Sequence, residues 1–333
     1  PKGIYSEELK SIYHDHIKWE INRTKTFDFK SVLNLTKILN SLEEESVVHS
    51  FTLKTGILYS IANFFVNKNI NGVLSINGLG YLFSNNLKAK FLKFILRTVI
   101  KRIFNKSFKE IIFQNISDKE IFLKFSNYSG KTSLIKGSGI EIDNYAKKEF
   151  YQKEKLKVIF VSRLLKDKGL KEYIELTKNI SKPNIDFYLA GEIDTGNPNS
   201  ISANDLENIK NKENIKYIGS INVEEELFNY DISIIMSKYE GFSRILLESL
   251  YVGLFCISNN IPGTEWLKEF HNGLLIKNNN LNDISEVINN FNEYEFSKAN
   301  AESNREIIKK KYTTKIISNQ YNEIYNNLGS FQK

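Results

Sequence analysis

Short apolar runs and longer stretches of helical periodicity take turns along most of this chain. In the second half the apolar runs fall at 157–162, 186–190, 215–218, 231–237, 255–258 and 273–276, with helix-like patterns between them. The first half repeats the scheme less cleanly. Helical spacing over 31–42 leads through 45–49 into a strand, and a helix around 58–66 precedes a strand at 72–76. Further strands are expected at 110–113 and 132–135. Such alternation predicts an α/β protein with parallel sheets covered by helices on both faces. A charged, weakly periodic segment, 143–157, reads as the linker between an N-terminal domain (1–150) and a C-terminal domain (151–333). One long helical stretch is expected over 302–327. A polar stretch at 192–204 either borders a ligand or is a plain surface loop.

Charge changes the picture in one region. From Ser46 to Lys109 there is no Asp or Glu but there are ten Lys or Arg, so a chain of net +7 carries −3 elsewhere. Leu92, Ile95, Val99 and Ile103 mark one helical face there, and Lys90, Lys93, Arg97 and Lys101 another. A basic amphipathic helix near 88–109 can rest on an anionic membrane surface, each cation contributing about 1 kcal/mol close to the headgroups. A solvated face ranks second. Nucleic acid ranks last, because no nucleic-acid motif accompanies the helix. The single cysteine, Cys256, lies in an apolar run, which argues against a disulfide framework and fits a reducing cytosol. Four scattered histidines supply no zinc set, and the cluster His14-Asp15-His16 reads as a solvated loop or helix end. No apolar run reaches the length of a membrane span.

Candidate chemistry concentrates at two strand ends. After the apolar run at 232–236 comes Glu240-Gly241-Phe242-Ser243, then a helix-like pattern through Glu248. Eight residues of helix rise about 12 Å, so Glu240 sits at the mouth of the turn and Glu248 two turns down. The amides of Gly241, Phe242 and Ser243 form a helix N-terminus, which favours an anion. This arrangement suits a sugar nucleotide, with amides toward phosphate and sugar and a carboxylate on paired ribose hydroxyls. An amphipathic helix with two solvated glutamates has the same spacing. The second place is Arg163-Leu164-Leu165-Lys166-Asp167-Lys168-Gly169, which follows the run at 158–162. Two cations at the carboxyl end of a strand can neutralise a diphosphate where α/β crevices form. Read alone, a basic surface loop is the better account of it.

Taken together, the two motifs resemble the retaining GT-B glycosyltransferases of family 4. The similarity continues through Gly253, Ile261-Pro262-Gly263-Thr264-Glu265 and His271-Asn272-Gly273-Leu274-Leu275-Ile276, and is dense over 155–280. Four phrases of the first half are similar to one bacterial branch that extends undecaprenyl-diphosphate-linked sugars for capsule, O-antigen or protein glycosylation. They are Val48-His49-Ser50-Phe51-Thr52-Leu53-Lys54, Gly78-Leu79-Gly80-Tyr81-Leu82-Phe83, Phe113-Gln114-Asn115 and Gly137-Ser138-Gly139-Ile140. The opening Pro1-Lys2-Gly3-Ile4-Tyr5-Ser6 resembles the end of that branch's second strand, which implies about 45 preceding residues of strand, glycine-rich loop and helix.

The resemblance implies two Rossmann-like domains, an acceptor-binding one followed by a nucleotide-sugar-binding one, with the last helix crossing back to the first. It implies transfer of a hexose or N-acetylhexosamine, with retained configuration, from a nucleotide diphosphate sugar (UDP-linked) to a lipid-linked saccharide. No metal or other cofactor is implied, so fixed cations and amide dipoles stabilise the leaving diphosphate. Arg163 and Lys168 match that role, Glu248 the ribose carboxylate, and Glu240 with the amides of Gly241 to Ser243 the part that positions the donor hexose. Arg244 matches a position near phosphate or acceptor, or is a helix-surface arginine. His49, Lys54 and Asn77 are acceptor-side candidates, although His49 reads first as a satisfied structural histidine. The implied location is cytoplasmic, peripheral on the inner face of the cytoplasmic membrane, with no nucleic-acid partner. A GT-B sugar-nucleotide epimerase would bind the nucleotide without transfer. A non-catalytic membrane-surface protein would use the basic helix but leave the paired motifs without a purpose.

Overall fold

The computed structural model describes residues 17–21, 28–79, 97, 100–149, 155–180, 182–212, 214–277, 280–291 and 298–329. The opening segment with its His14-Asp15-His16 cluster, and residues 88–96 and 98–99 of the expected basic helix, lie outside the described residues. Four parallel strands form the first sheet in chain order: β1 (Val47–Phe51), β2 (Asn71–Ile76), β3 (Phe108–Phe113) and β4 (Lys131–Leu134). β2 is buried along its whole length, as an inner parallel strand covered on both faces must be. The helix Phe29–Ser41 begins at Asp28, whose side chain accepts from the amide of Ser31. It turns Val32, Leu35 and Leu39 into a core with Leu58, Tyr59, Leu74, Phe104, Phe113 and Phe122. Each such side chain contributes about 1.5–3 kcal/mol by leaving water. Within the basic stretch, the helical residues 100–107 bury Ile100 and Phe104 in that core and leave Arg102 and Lys106 exposed.

The second sheet has six parallel strands: β5 (Leu156–Val161), β6 (Ile185–Ala190), β7 (Lys216–Gly219), β8 (Ile232–Ile235), β9 (Phe255–Asn259) and β10 (Gly273–Ile276). Their order is β10-β9-β8-β5-β6-β7, so the winding reverses between β5 and β8. A crevice opens beyond the carboxyl ends of the strands at such a reversal. All ten strands begin within two residues of their expected positions.

The chain passes between the sheets at Gly139–Ile140 and again at Thr313. The two crossings are hydrogen-bonded to each other: Ile140 N donates to Tyr312 O at 3.1 Å, and Thr314 N to Ile140 O at 3.2 Å. A Cβ on Gly139, which has φ +75°, would lie 2.6 Å from Thr314 N, so glycine is what lets these segments touch. The single helix expected over 302–327 is two helices, Lys298–Lys311 and Thr314–Leu328. Tyr312 is buried between them, and extended Thr313 caps the second by accepting from Ile316 N. That last helix packs Ile317 and Ile324 onto Val73, Ile112 and Ile135 of the first sheet. The expected crossing back is therefore present.

The first half of the segment read as a linker is tied down. Ala146 N donates to Glu224 O at 3.1 Å and Lys148 N to Val252 O at 3.0 Å. The Lys148 ammonium is buried in an ion pair with Asp231 and also donates to Tyr230 O. Residues 145–148 thus pack as part of the second sheet's unit.

Candidate donor site at the carboxyl edge of the second sheet

The reversal between β5 and β8 brings the two sequence motifs together. Lys168, in the loop after β5, donates from Nζ to Glu240 Oε1, in the loop after β8, at 2.6 Å. Ser237 Oγ donates to the same oxygen at 2.7 Å. Gly169 sits between the loops with φ +82°, and a Cβ there would lie 2.1 Å from Met236 O. No other residue would allow that approach. Lys168 and Glu240 are mostly buried, so their attraction is less screened than at the surface.

Arg163 follows β5 directly and pairs with Asp194 across 2.7 Å, its side chain largely exposed. Asp194 belongs to the polar stretch after β6. That stretch lies against the Arg163 loop: Leu164 N donates to Glu192 O, and Ile201 N to Leu164 O. The stretch 192–204 is thus hydrogen-bonded to the loop that carries Arg163.

The helix Arg244–Val252 starts at Ser243, whose side chain makes no capping bond. Its first-turn amides therefore have no side-chain partner at the cap. Because the helix begins only at Arg244, Glu248 lies about one turn along it and not two as expected, and it is buried. Its Oε1 accepts from Tyr145 OH at 2.8 Å and from Arg244 Nε at 2.7 Å. Burial raises the Glu248 carboxyl above its ordinary pKa, while Tyr145 and Arg244 pull it back. Arg244 is more than half exposed and reaches back along its own helix.

The turn between Glu240 and Ser243 is also where the two sheets meet. Asn115, after β3, donates from Nδ2 to Gly241 O at 3.0 Å. It also caps the helix Ile116–Ser126, through Oδ1 with Asp118 N at 2.7 Å, and donates to Asp118 Oδ2 at 2.9 Å. A Cβ at position 241 would lie 2.0 Å from Asn77 O and 2.5 Å from Gln114 Oε1. Phe242 turns inward, stacked on Trp266 at 4.6 Å and on Tyr312 at 5.6 Å. Its ring serves packing, leaving only its backbone for a ligand.

The acceptor-side candidates divide. Asn77 is exposed after β2, with its carbonyl against the Gly241 turn. Lys54 is half-buried in the first turn of the helix Leu53–Phe64, and desolvation lowers its pKa. His49 lies in the middle of β1, three residues before Thr52, where the strand is over and the loop begins. Its Nε2 meets Ser75 Oγ at 2.8 Å and its Nδ1 meets Tyr325 OH, on the last helix, at 2.5 Å. Both ring nitrogens are engaged, so the geometry fits the structural reading of His49. Burial lowers its pKa to about 4. Because the folded value lies below the unfolded one of about 6.5, folding favours the neutral ring. Its stabilisation is complete above pH 6.5 and is lost as pH falls toward 4. Melting curves between pH 7.5 and 4 should show this loss, and His49→Gln should flatten that part of the profile.

Four contributors had no role in the sequence reading. Tyr145 stood in the segment taken as a linker, and Asp194 in an undecided loop. Ser237 ended a strand run, and Asn115 belonged to a quoted phrase without a function. An aromatic residue inside the otherwise charged stretch 143–149 was the one local sign that the segment is packed.

Residues 141–314, just over half of the chain, match the family described as glycosyl transferases group 1. A Campylobacter jejuni relative, N,N'-diacetylbacillosaminyl-diphospho-undecaprenol alpha-1,3-N-acetylgalactosaminyltransferase, is 26% identical over 98% of this chain and 89% of its own length. An Escherichia coli relative, UDP-Gal:alpha-D-GlcNAc-diphosphoundecaprenol alpha-1,3-galactosyltransferase, is 27% identical over 79% of this chain and 69% of its own. Among solved structures, Anabaena HepE in complex with UDP-glucose superposes with a TM-score of 0.71 at 17% identity, covering 89% of this chain and 82% of that one. Sucrose-phosphate synthase from Thermosynechococcus elongatus gives 0.76 at 16% identity, covering 93% and 80%. With paired parallel sheets, a returning C-terminal helix and these likenesses, the chain belongs to the glycosyl transferases group 1 family and is a glycosyltransferase of the GT-B fold.

Proposed function

We propose that this enzyme moves a hexose or N-acetylhexosamine from a UDP-sugar to a lipid-linked saccharide with retention of configuration, at the inner face of the cytoplasmic membrane. The observation that carries the reading is the meeting of Lys168 and Glu240 at the strand-order reversal, beside a helix N-terminus with no side-chain cap. In this reading the diphosphate sits among Lys168, Arg163 and the amides of Gly241 to Ser243. Glu240 and Asp194 hold the two cations aimed at it beforehand. Charge that builds on the leaving phosphate is then met by groups already in place, and little reorganisation is needed. Glu248 presents its second oxygen to ribose hydroxyls, because both described protein donors converge on Oε1. Glu240 faces the hexose from the other end of the turn. No nucleophilic side chain is assigned and no metal is invoked.

Two of the relatives named above act on diphospho-undecaprenol-linked sugars, which supports a lipid-linked acceptor. The exposed cations Arg97, Arg102 and Lys106 support contact with an anionic membrane. No helix among the described residues is long and apolar enough to cross one. The test is a thermal shift with UDP, GDP and ADP on the wild type, Arg163→Ala and Glu248→Ala. A ligand at 100 times its Kd adds about 2.7 kcal/mol, and the UDP shift should vanish in both variants while each still melts cooperatively. Unchanged UDP affinity in both would sink the site, and stabilisation by GDP or ADP alone would replace the donor. Product formation that depends on a lipid-linked acceptor separates transfer from epimerisation.

A further inference from the structure

We infer that Tyr145 is a positioning residue for the donor: its hydroxyl fixes the Glu248 carboxylate and keeps it ionised in a buried place. The inference rests on the reading of Glu248 as the ribose-binding group. Tyr145 comes from the stretch that follows the Ile140 crossing, not from the sheet that bears the donor motifs. It is itself buried, and its ring lies edge-on to Tyr251 with centroids 5.9 Å apart. Directly after it the backbone is anchored, by Ala146 N to Glu224 O and by Lys148 N to Val252 O. The hydroxyl therefore reaches Glu248 Oε1 from a fixed point.

Glu248 has two described donors of different character. Arg244 is an exposed, flexible arm on the same helix, and water competes for its guanidinium. Tyr145 is a neutral, preorganised donor with no such competition. The nearby carboxylate of Glu224 acts against ionisation of Glu248, as burial does, and the tyrosine works with Arg244 against both, as the one donor of the two that is buried. A hydrogen bond to a charged group is stronger than one between neutral groups. Removing the hydroxyl should both free the carboxylate's rotamer and raise the pH at which it protonates.

The experiment is Tyr145→Phe beside Glu248→Gln, with UDP affinity measured from pH 5 to 8.5 and steady-state kinetics on the intact enzyme. Phenylalanine keeps the ring and its packing. For Tyr145→Phe we expect UDP affinity about 10-fold weaker at neutral pH, and the acid limb of binding moved upward. KM for the donor should rise while kcat stays near wild type. A purely structural tyrosine would lower Tm without moving the acid limb or dividing KM from kcat. Loss of affinity in Glu248→Gln with none in Tyr145→Phe overturns the inference and leaves the donor reading standing. Unchanged affinity in both overturns the two together.

Discussion

Gly241→Ala is expected to reduce transfer by at least about 100-fold while UDP still binds. A Cβ at this position meets a backbone carbonyl, Asn77 O, at 2.0 Å, and Gln114 Oε1 at 2.5 Å. The second atom ends a side chain that can rotate away, but the first cannot move without shifting the end of β2. Both obstacles follow strands of the first sheet, so the methyl group wedges the two carboxyl edges apart, and in the proposed reading this is where donor and acceptor meet. Displacement of reacting groups by about 1 Å can cost a factor on the order of 100. In the proposed reading only the Gly241 amide is displaced, while Arg163, Lys168 and Glu248 stay in place on the side of the second sheet and still hold the nucleotide. Overpacking of this kind costs about 1–3 kcal/mol, which a lowered Tm would register. The measurement is kcat/KM with a lipid-linked acceptor, beside the UDP thermal shift. Full turnover would mean that the two sheets need not touch at Gly241 for transfer.

That variant marks the limit of what the sequence discloses. The second half was readable because its information is local. A buried parallel strand is a continuous apolar run, as at 158–161 and 232–235, and each functional loop follows its strand within a few residues. Lys168 and Glu240 could be placed at strand ends, and only the strand order, β8 beside β5, was needed to bring them together. The contribution of the first sheet to the same site is not local. Asn115 lies 126 positions from the carbonyl it binds, and nothing in its neighbours announces that partner. Tyr145 lies 103 positions from Glu248.

The break at Tyr312 was hidden for a related reason. Residues 302–327 carry helical spacing throughout, and local propensity has no term for the hydrogen bonds that Ile140 offers. His49 shows the converse. Its strand was legible, but its role was not, because its partners Ser75 and Tyr325 come from another strand and from the last helix. Glycine was informative at each close approach. Positions 139, 169 and 241 each lack room for a Cβ, and each marks a contact between segments distant in sequence.

Lys168→Ala should lower kcat by roughly 100- to 1,000-fold, the range found when one preorganised donor to a developing negative charge is removed. In the resting enzyme the ammonium is held by Glu240, whose other described donor is Ser237. In the proposed reading, a donor phosphate that enters puts the ammonium between two anions, and it gains more from the one whose charge grows as the glycosidic bond breaks. That difference between ground and transition states is what raises kcat. The loss should therefore fall mainly on kcat, with a smaller rise in KM for the donor. Glu240→Gln should retain the hydrogen-bonding shape but hold the ammonium less firmly, and so lose less. Because the two side chains touch, their effects should not add, and a double variant should be less damaging than the product of the single losses. If KM for the donor rose in Lys168→Ala with kcat unchanged, the ammonium would serve substrate binding alone. Stabilisation of the leaving group would then fall to Arg163 and the amides of the Gly241 turn.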